Sequence, residues 1–100
     1  MKQIVLCCNA GMSTSMLVSK MKKAAEAINF ECEIFACPVA DLKSKAKNAD
    51  VILLGPQIRF ELAKVQKIFS EIPVEAIAPT DYGMMKGDKV LDTAIALMGV

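Results

Sequence analysis

The chain has 100 residues, 54% of them apolar, and a formal net charge of +1. These values predict one globular domain over residues 1–100 and exclude a disordered chain. Acids and bases are interspersed, so there is no basic stripe for a nucleic-acid partner. No run approaches the ~20 apolar residues that span a bilayer. We therefore expect a cytoplasmic protein with reduced cysteines and no direct membrane insertion.

Four short apolar segments have the length of buried β-strands. They cover residues 3–8, 31–37, 51–54 and 74–78. Apolar residues recur at helical spacing after each strand, whereas residues 79–87 are predicted to form a loop. The four helical stripes are Leu17, Met21, Ala24, Ala25 and Ile28; Val39, Leu42, Ala46 and Ala49; Leu62, Val65, Phe69 and Ile72; and Val90, Leu91, Ala94, Ile95 and Met98.

This alternation predicts an α/β fold, a four-stranded parallel sheet with helices on both faces. Right-handed crossovers in so small a sheet favour the strand order 2-1-3-4. Ligands of such sheets bind at the carboxyl ends of the strands, where the order reverses. Here the reversal lies between the first and third strands, so the segments 8–15 and 55–57 should meet there.

A thiol stands at that point, at the end of the first strand and directly before the first helix. Gly11 permits a tight turn, and hydroxyl residues lie near the helix start. A helix N-terminus attracts anions and favours a cysteine thiolate. Taken alone, such a cysteine is as often a small buried apolar residue, but its place in the sheet favours chemistry. The segment is Cys8, Asn9, Ala10, Gly11, Met12, Ser13, Thr14 and Ser15.

The chain lacks the residues that other kinds of binding site require. The loop has neither the Gly-Lys-Ser/Thr ending of a nucleotide loop nor a three-glycine dinucleotide motif. The chain has no histidine, and adjacent strand residues such as Cys7 and Cys8 point to opposite faces. We therefore expect no metal and no cofactor, and we interpret Cys7, Cys32 and Cys37 as core or near-core thiols.

The segments Cys-Asn-Ala-Gly-Met-Ser-Thr-Ser at 8–15 and Asn-Ala-Asp-Val-Ile-Leu-Leu-Gly-Pro-Gln-Ile at 48–58 resemble enzyme IIB components of the bacterial sugar phosphotransferase system, lactose/cellobiose class. Asp-Tyr-Gly at 81–83 matches more weakly. The loop is closer to the cellobiose and chitobiose branch than to the lactose branch. An apolar residue is expected where this chain has Cys7, and the spacing to Gly11 assigns the reactive role to Cys8.

The resemblance implies a mechanism. A phosphohistidine on enzyme IIA phosphorylates Cys8, the N–H groups of residues 9–15 bind the phosphate, and the membrane enzyme IIC presents the sugar that accepts it. The sugar would be a β-linked disaccharide such as cellobiose or chitobiose, and the protein would associate peripherally with the transporter. Gln57 and Tyr82 would lie beside the site, on the face where partners dock.

Two other classes compete with this interpretation. Low-molecular-weight tyrosine phosphatases and arsenate reductases resemble this architecture and also use a cysteine after the first strand. Their loop needs an arginine six residues after the cysteine to bind phosphate oxygens, and here that residue is Thr14. A non-catalytic regulator that kept the fold is the third class, against which the intact cysteine loop argues.

Overall fold

The computed structural model describes residues 1–8 and 12–99, except the side chains of Met12 and Ser13. Its sheet is parallel throughout and has the order β2-β1-β3-β4, which confirms the predicted fold class and strand order. The strands are β1 (Lys2–Cys7), β2 (Cys32–Cys37), β3 (Val51–Leu54) and β4 (Val74–Ala76).

Helical segments follow every strand, as the alternation requires. Short 3₁₀ turns at Val39–Asp41 and Pro56–Glu61 lead into the second and third helices. The α-helices are α1 (Met12–Ala27), α2 (Leu42–Lys45), α3 (Leu62–Ile68), α4 (Pro79–Gly83) and α5 (Gly87–Met98).

Alternate residues of the central strands point to opposite faces of the sheet, and each face has its own core. Ile4 and Leu6 of β1 belong to a buried cluster with side chains of α1 and α5. Val5 and Cys7 belong to a second cluster with side chains of α2 and α3. The sheet is therefore covered by helices on both faces, and β1 lies at its centre.

Some predicted boundaries are wrong. Residues 79–87 contain the helix α4, because Pro79 at its first turn and Asp81 near its positive end favour a helix start. The helix predicted from Val39 to Ala49 is reduced to one 3₁₀ turn and the four-residue α2. Ile28, predicted on the buried stripe, lies past the end of α1 and is 56% exposed.

Candidate active site

Cys8 follows the last residue of β1 at the carboxyl edge of the sheet. Its backbone N–H donates to the Cys37 carbonyl oxygen at 3.4 Å, which ties it to the end of β2. Because β1 pairs with β2 on one side and β3 on the other, this is the point where the strand order reverses. The side chain is 5% exposed. The chain thus places a thiol at the position where such folds bind ligands.

The segment after β3 lies directly against Cys8, as the strand order predicts. The Gly55 N–H donates to the Cys7 carbonyl oxygen at 2.8 Å. A Cβ placed on Gly55 would lie 3.4 Å from the Cys8 Cβ and 2.7 Å from the Gln57 Oε1. Gln57 is exposed, so its amide borders the same spot from the solvent side. The structure therefore brings Cys8, Gly55 and Gln57 together.

The predicted phosphate loop is described only in part. Asn9, Ala10 and Gly11 lie outside the described residues, as do the side chains of Met12 and Ser13. The backbone of Met12 begins α1, so the first turn of that helix directly follows the loop. Ser15 lies in this turn and is exposed.

Thr14, in the first turn of α1, is 1% exposed and pairs with Tyr82 of α4. The Thr14 Oγ1 and Tyr82 Oη atoms lie 2.9 Å apart in a hydrogen bond that either hydroxyl can donate. The Tyr82 ring is 7% exposed and belongs to the buried cluster that includes Leu17 and Leu91. Tyr82 is therefore adjacent to the first turn of α1, but its ring offers little surface to a partner. The sequence reasoning missed this pairing because it treated residues 79–87 as a loop; Pro79 followed by Asp81 was the signal for a helix.

The other three cysteines of the chain are shielded from water to different degrees. Cys7 has no exposed surface. Burial raises the pKa of its thiol to about 12, and the nearby Cys37, Cys8 and Glu61 act in the same direction. Burial also raises the pKa of Cys37, with Asp41 adding to the rise, and that of Cys32. Cys7 and Cys37 are buried and Cys32 is partly buried, which confirms that they are core or near-core thiols.

Three large apolar side chains are exposed in segments that follow the carboxyl ends of strands. They are Met16 of α1 at 58%, Phe60 of the turn after β3 at 76%, and Met84 after α4 at 67%. Arg59 precedes Phe60 and is also exposed. In a parallel sheet all these segments leave from one edge. These three side chains therefore lie in segments that begin at the edge that holds Cys8.

Within residues 1–8 and 12–99, no three histidine, cysteine or acidic side chains come together as a metal ion would need. In the same part of the chain, no helix combines the length and apolar character needed to cross a membrane.

The fold and the cysteine define an α/β protein with a candidate nucleophile at the switch point of its sheet. A profile of the PTS system, Lactose/Cellobiose specific IIB subunit, matches residues 3–93. The chain is 49% identical to the PTS system galactose-specific EIIB component of Lactococcus lactis subsp. cremoris (strain MG1363) over 97% of its length and 96% of the relative's. It is 49% identical to the cellobiose-specific component of L. lactis subsp. lactis (strain IL1403), again over 97% and 96%. It is 43% identical to the oligo-beta-mannoside-specific component of Bacillus subtilis (strain 168), over 98% and 97%.

Two solved structures of IIB components have the same fold as this chain. The cellobiose-specific phosphotransferase IIB component protein of Borrelia burgdorferi superposes with a TM-score of 0.82 at 41% identity, over 98% of this chain and 92% of that one. The lactose-specific IIB component domain from Streptococcus pneumoniae has a TM-score of 0.86 over 96% of both chains. At 14% identity it supports the fold alone. The chain belongs to the lactose/cellobiose-specific IIB subunits of the phosphotransferase system (PTS), which are phosphotransferase components of sugar uptake.

Proposed function

We propose that Cys8 carries the phosphoryl group between two partners of this chain. Its thiolate attacks the phosphorus of a phosphohistidine on enzyme IIA; the S–P bond forms, the P–N bond breaks, and the electron pair returns to the imidazole, which takes up a proton. A hydroxyl of the sugar held by enzyme IIC then attacks the same phosphorus. The S–P bond breaks, the thiolate leaves, and the hydroxyl proton passes to solvent or a base.

The observation that carries this proposal is the position of Cys8 at the carboxyl end of the central strand, against Gly55 and Gln57 and before the first turn of α1. A helix N-terminus supplies N–H groups and a positive dipole end to an anion. We assign phosphate binding to the N–H groups of residues 9–15. Cys7 is a poor rival, because its buried thiol has a pKa of about 12 and stays protonated near neutral pH.

The partner surface follows from the chemistry. Phosphorus must lie between the donor imidazole and Cys8, so enzyme IIA has to cover the carboxyl edge of the sheet. Exposed Met16, Phe60 and Met84 supply apolar contacts there, of the kind that interface cores use. Because the Tyr82 ring is buried, we assign its expected docking contact to Met84. The chain would work in the cytoplasm, associated peripherally with the membrane enzyme IIC.

For the sugar we propose a β-linked disaccharide such as cellobiose or chitobiose. Two of the relatives are named for cellobiose and for oligo-beta-mannosides, and a third for galactose. The chain itself has one tyrosine and no tryptophan, so it is poorly equipped to bind sugar rings. Comparing phosphate transfer to cellobiose, chitobiose and galactose in membranes that contain enzyme IIC would test the choice; transfer to galactose alone would contradict it.

The test of the carrier role is incubation with a phosphorylated enzyme IIA. We expect wild type and Cys7→Ser to form a phosphothiol that maps to residue 8 by mass spectrometry, and Cys8→Ser to form none. Release of inorganic phosphate instead would indicate a phosphatase, and absence of transfer would indicate a regulator. A phosphothiol on Cys8→Ser would move the role to another cysteine.

Docking is tested with matched apolar truncations. Met84→Ala should raise the KM for enzyme IIA, because Met84 follows α4, whose Tyr82 is hydrogen-bonded to Thr14 in the first turn of α1. Ile28→Ala is the control, since Ile28 is similarly exposed at 56% but lies past the other end of α1. That helix is about 24 Å long at 1.5 Å per residue. Equal effects of the two variants would remove the proposed apolar contact.

A further inference from the structure

The hydrogen bond between Thr14 and Tyr82 connects distant parts of the chain beside the candidate site. The two residues are 68 positions apart in sequence, and both hydroxyls are buried. Neither hydroxyl is among the buried side-chain atoms of the described residues that lack a partner, a set that contains only the Gln3 Oε1. Each hydroxyl therefore satisfies the other, and removing one leaves the other buried and unpaired.

Tyr82 is held in place by backbone hydrogen bonds and by the packing of its ring. Its backbone N–H donates to the Ala78 carbonyl oxygen at 3.0 Å, and its own carbonyl oxygen accepts from the Met85 N–H at 3.1 Å. Its ring lies in the core cluster beneath α1 and α5. The phenol therefore has a fixed position, in the helix that follows the edge strand β4.

Thr14 is the partner whose position the bond to Tyr82 fixes. It is the third residue of α1 and the sixth residue after Cys8. A threonine side chain has few rotamers in a helix, so a bond of fixed direction to its Oγ1 sets the rotation of the first helical turn about the helix axis. This rotation therefore decides the direction in which the N–H groups of the first turn point.

We propose that the Thr14–Tyr82 hydrogen bond is a positioning element, which holds the first turn of α1 in the orientation needed for Cys8 to accept phosphate. The inference rests on the proposed function, because orientation matters only if an anion binds there. Neither hydroxyl has to touch the phosphate. Both act through the helix backbone, and losing either should have the same effect as losing both.

The experiment uses the full chain with Tyr82→Phe, Thr14→Val and the double variant, and phosphorylated enzyme IIA as donor. Each single change should lower the maximal rate of Cys8 phosphorylation about tenfold, the effect of one net hydrogen bond, with the KM for enzyme IIA within about twofold. The double variant should be no slower than the singles. Thr14→Ser restores the hydroxyl and should recover most of the rate that Thr14→Val loses.

The matched control is Thr93→Val. Thr93 of α5 is exposed, and its hydroxyl donates to the Lys89 carbonyl oxygen at 3.1 Å. The Thr93→Val variant therefore loses the same hydroxyl as Thr14→Val, but away from the site, and should keep the wild-type rate of Cys8 phosphorylation. Single variants as fast as wild type, or losses that add in the double variant, would overturn the positioning role.

Amide hydrogen exchange separates this inference from the function on which it rests. Tyr82→Phe should speed exchange in the second turn of α1, whose N–H groups donate to the carbonyl oxygens of the first turn. It should leave the middle of α5 unchanged, whether or not phosphate is transferred. If wild type accepted no phosphate, the carrier proposal would be wrong. If exchange in the second turn of α1 did not change in Tyr82→Phe, the positioning element would be wrong even with an active carrier.

Discussion

Gly87 lies at a point of close approach between α1 and α5, and its replacement by alanine should destabilise the fold. A Cβ on Gly87 would lie 2.7 Å from the Lys20 carbonyl carbon and 2.7 Å from the Met21 backbone nitrogen. Neither atom can rotate away, because both belong to the backbone of α1. The two helices must separate, and overpacking of this kind costs about 1–3 kcal/mol. Because backbone atoms are involved, we expect a loss of about 2 kcal/mol in the free energy of unfolding.

Urea denaturation measures this loss. With an m-value of about 1–2 kcal/mol per molar, the midpoint of Gly87→Ala should fall by about 1–2 M. Gly83→Ala is the matched control, since a Cβ there meets no atom within 4 Å. It should be neutral or stabilising by about 0.4–1 kcal/mol, because alanine lowers the entropy of the unfolded chain. Equal midpoints for Gly87→Ala and wild type would refute the close helix contact.

Three further predictions concern the site and its surroundings. Gly55→Ala should displace the flexible Gln57 side chain rather than the backbone; unfolding free energy should stay within about 1 kcal/mol while Cys8 phosphorylation slows, and unchanged phosphorylation would remove Gln57 from the site. The Cys7 thiol ionises near pH 9 when unfolded and near pH 12 when folded. Between these values only the unfolded state loses the proton, so stability should fall as pH rises, by about 1.4 kcal/mol per pH unit; a wild-type profile parallel to that of Cys7→Ala would contradict this. Phosphate on Cys8 should persist without a sugar acceptor, since Thr14 supplies no guanidinium for hydrolysis, and prompt release in a phosphate assay would disprove it.

The carrier and the positioning element assign different tasks to one short segment. In the proposed function Cys8 performs the chemistry, whereas Thr14 is buried and hydrogen-bonded to Tyr82. In the phosphatases that resemble this architecture, the position of Thr14 requires an arginine that binds phosphate oxygens. A buried hydroxyl that bonds to another hydroxyl cannot serve that purpose. A threonine at this position is thus consistent with phosphoryl transfer between partners rather than with hydrolysis.

The alternation of short apolar runs with helical stripes was enough to predict the α/β class and the order of the four strands. Local pattern decides the class, because a strand buried on both faces is apolar throughout and a helix buries one stripe. The strand order followed from the preference for right-handed crossovers in so small a sheet. The placement of Cys8 beside Gly55 followed from strand order alone, since the carboxyl ends of parallel strands share one edge. The candidate nucleophile and its neighbouring segment were therefore readable from the chain itself.

Only the tertiary structure showed what Tyr82 does. In sequence it looked like an exposed contact in a loop, and nothing local links it to Thr14, which lies 68 positions away. Burial of the ring depends on how α4 packs against α1 and α5, an arrangement set by contacts between distant segments rather than by the spacing of nearby residues. The same reason explains Ile28, whose place on an apolar stripe predicted burial although the helix ends one residue earlier, at Ala27. Pattern determines which faces are apolar, whereas packing decides which of those side chains lose contact with water.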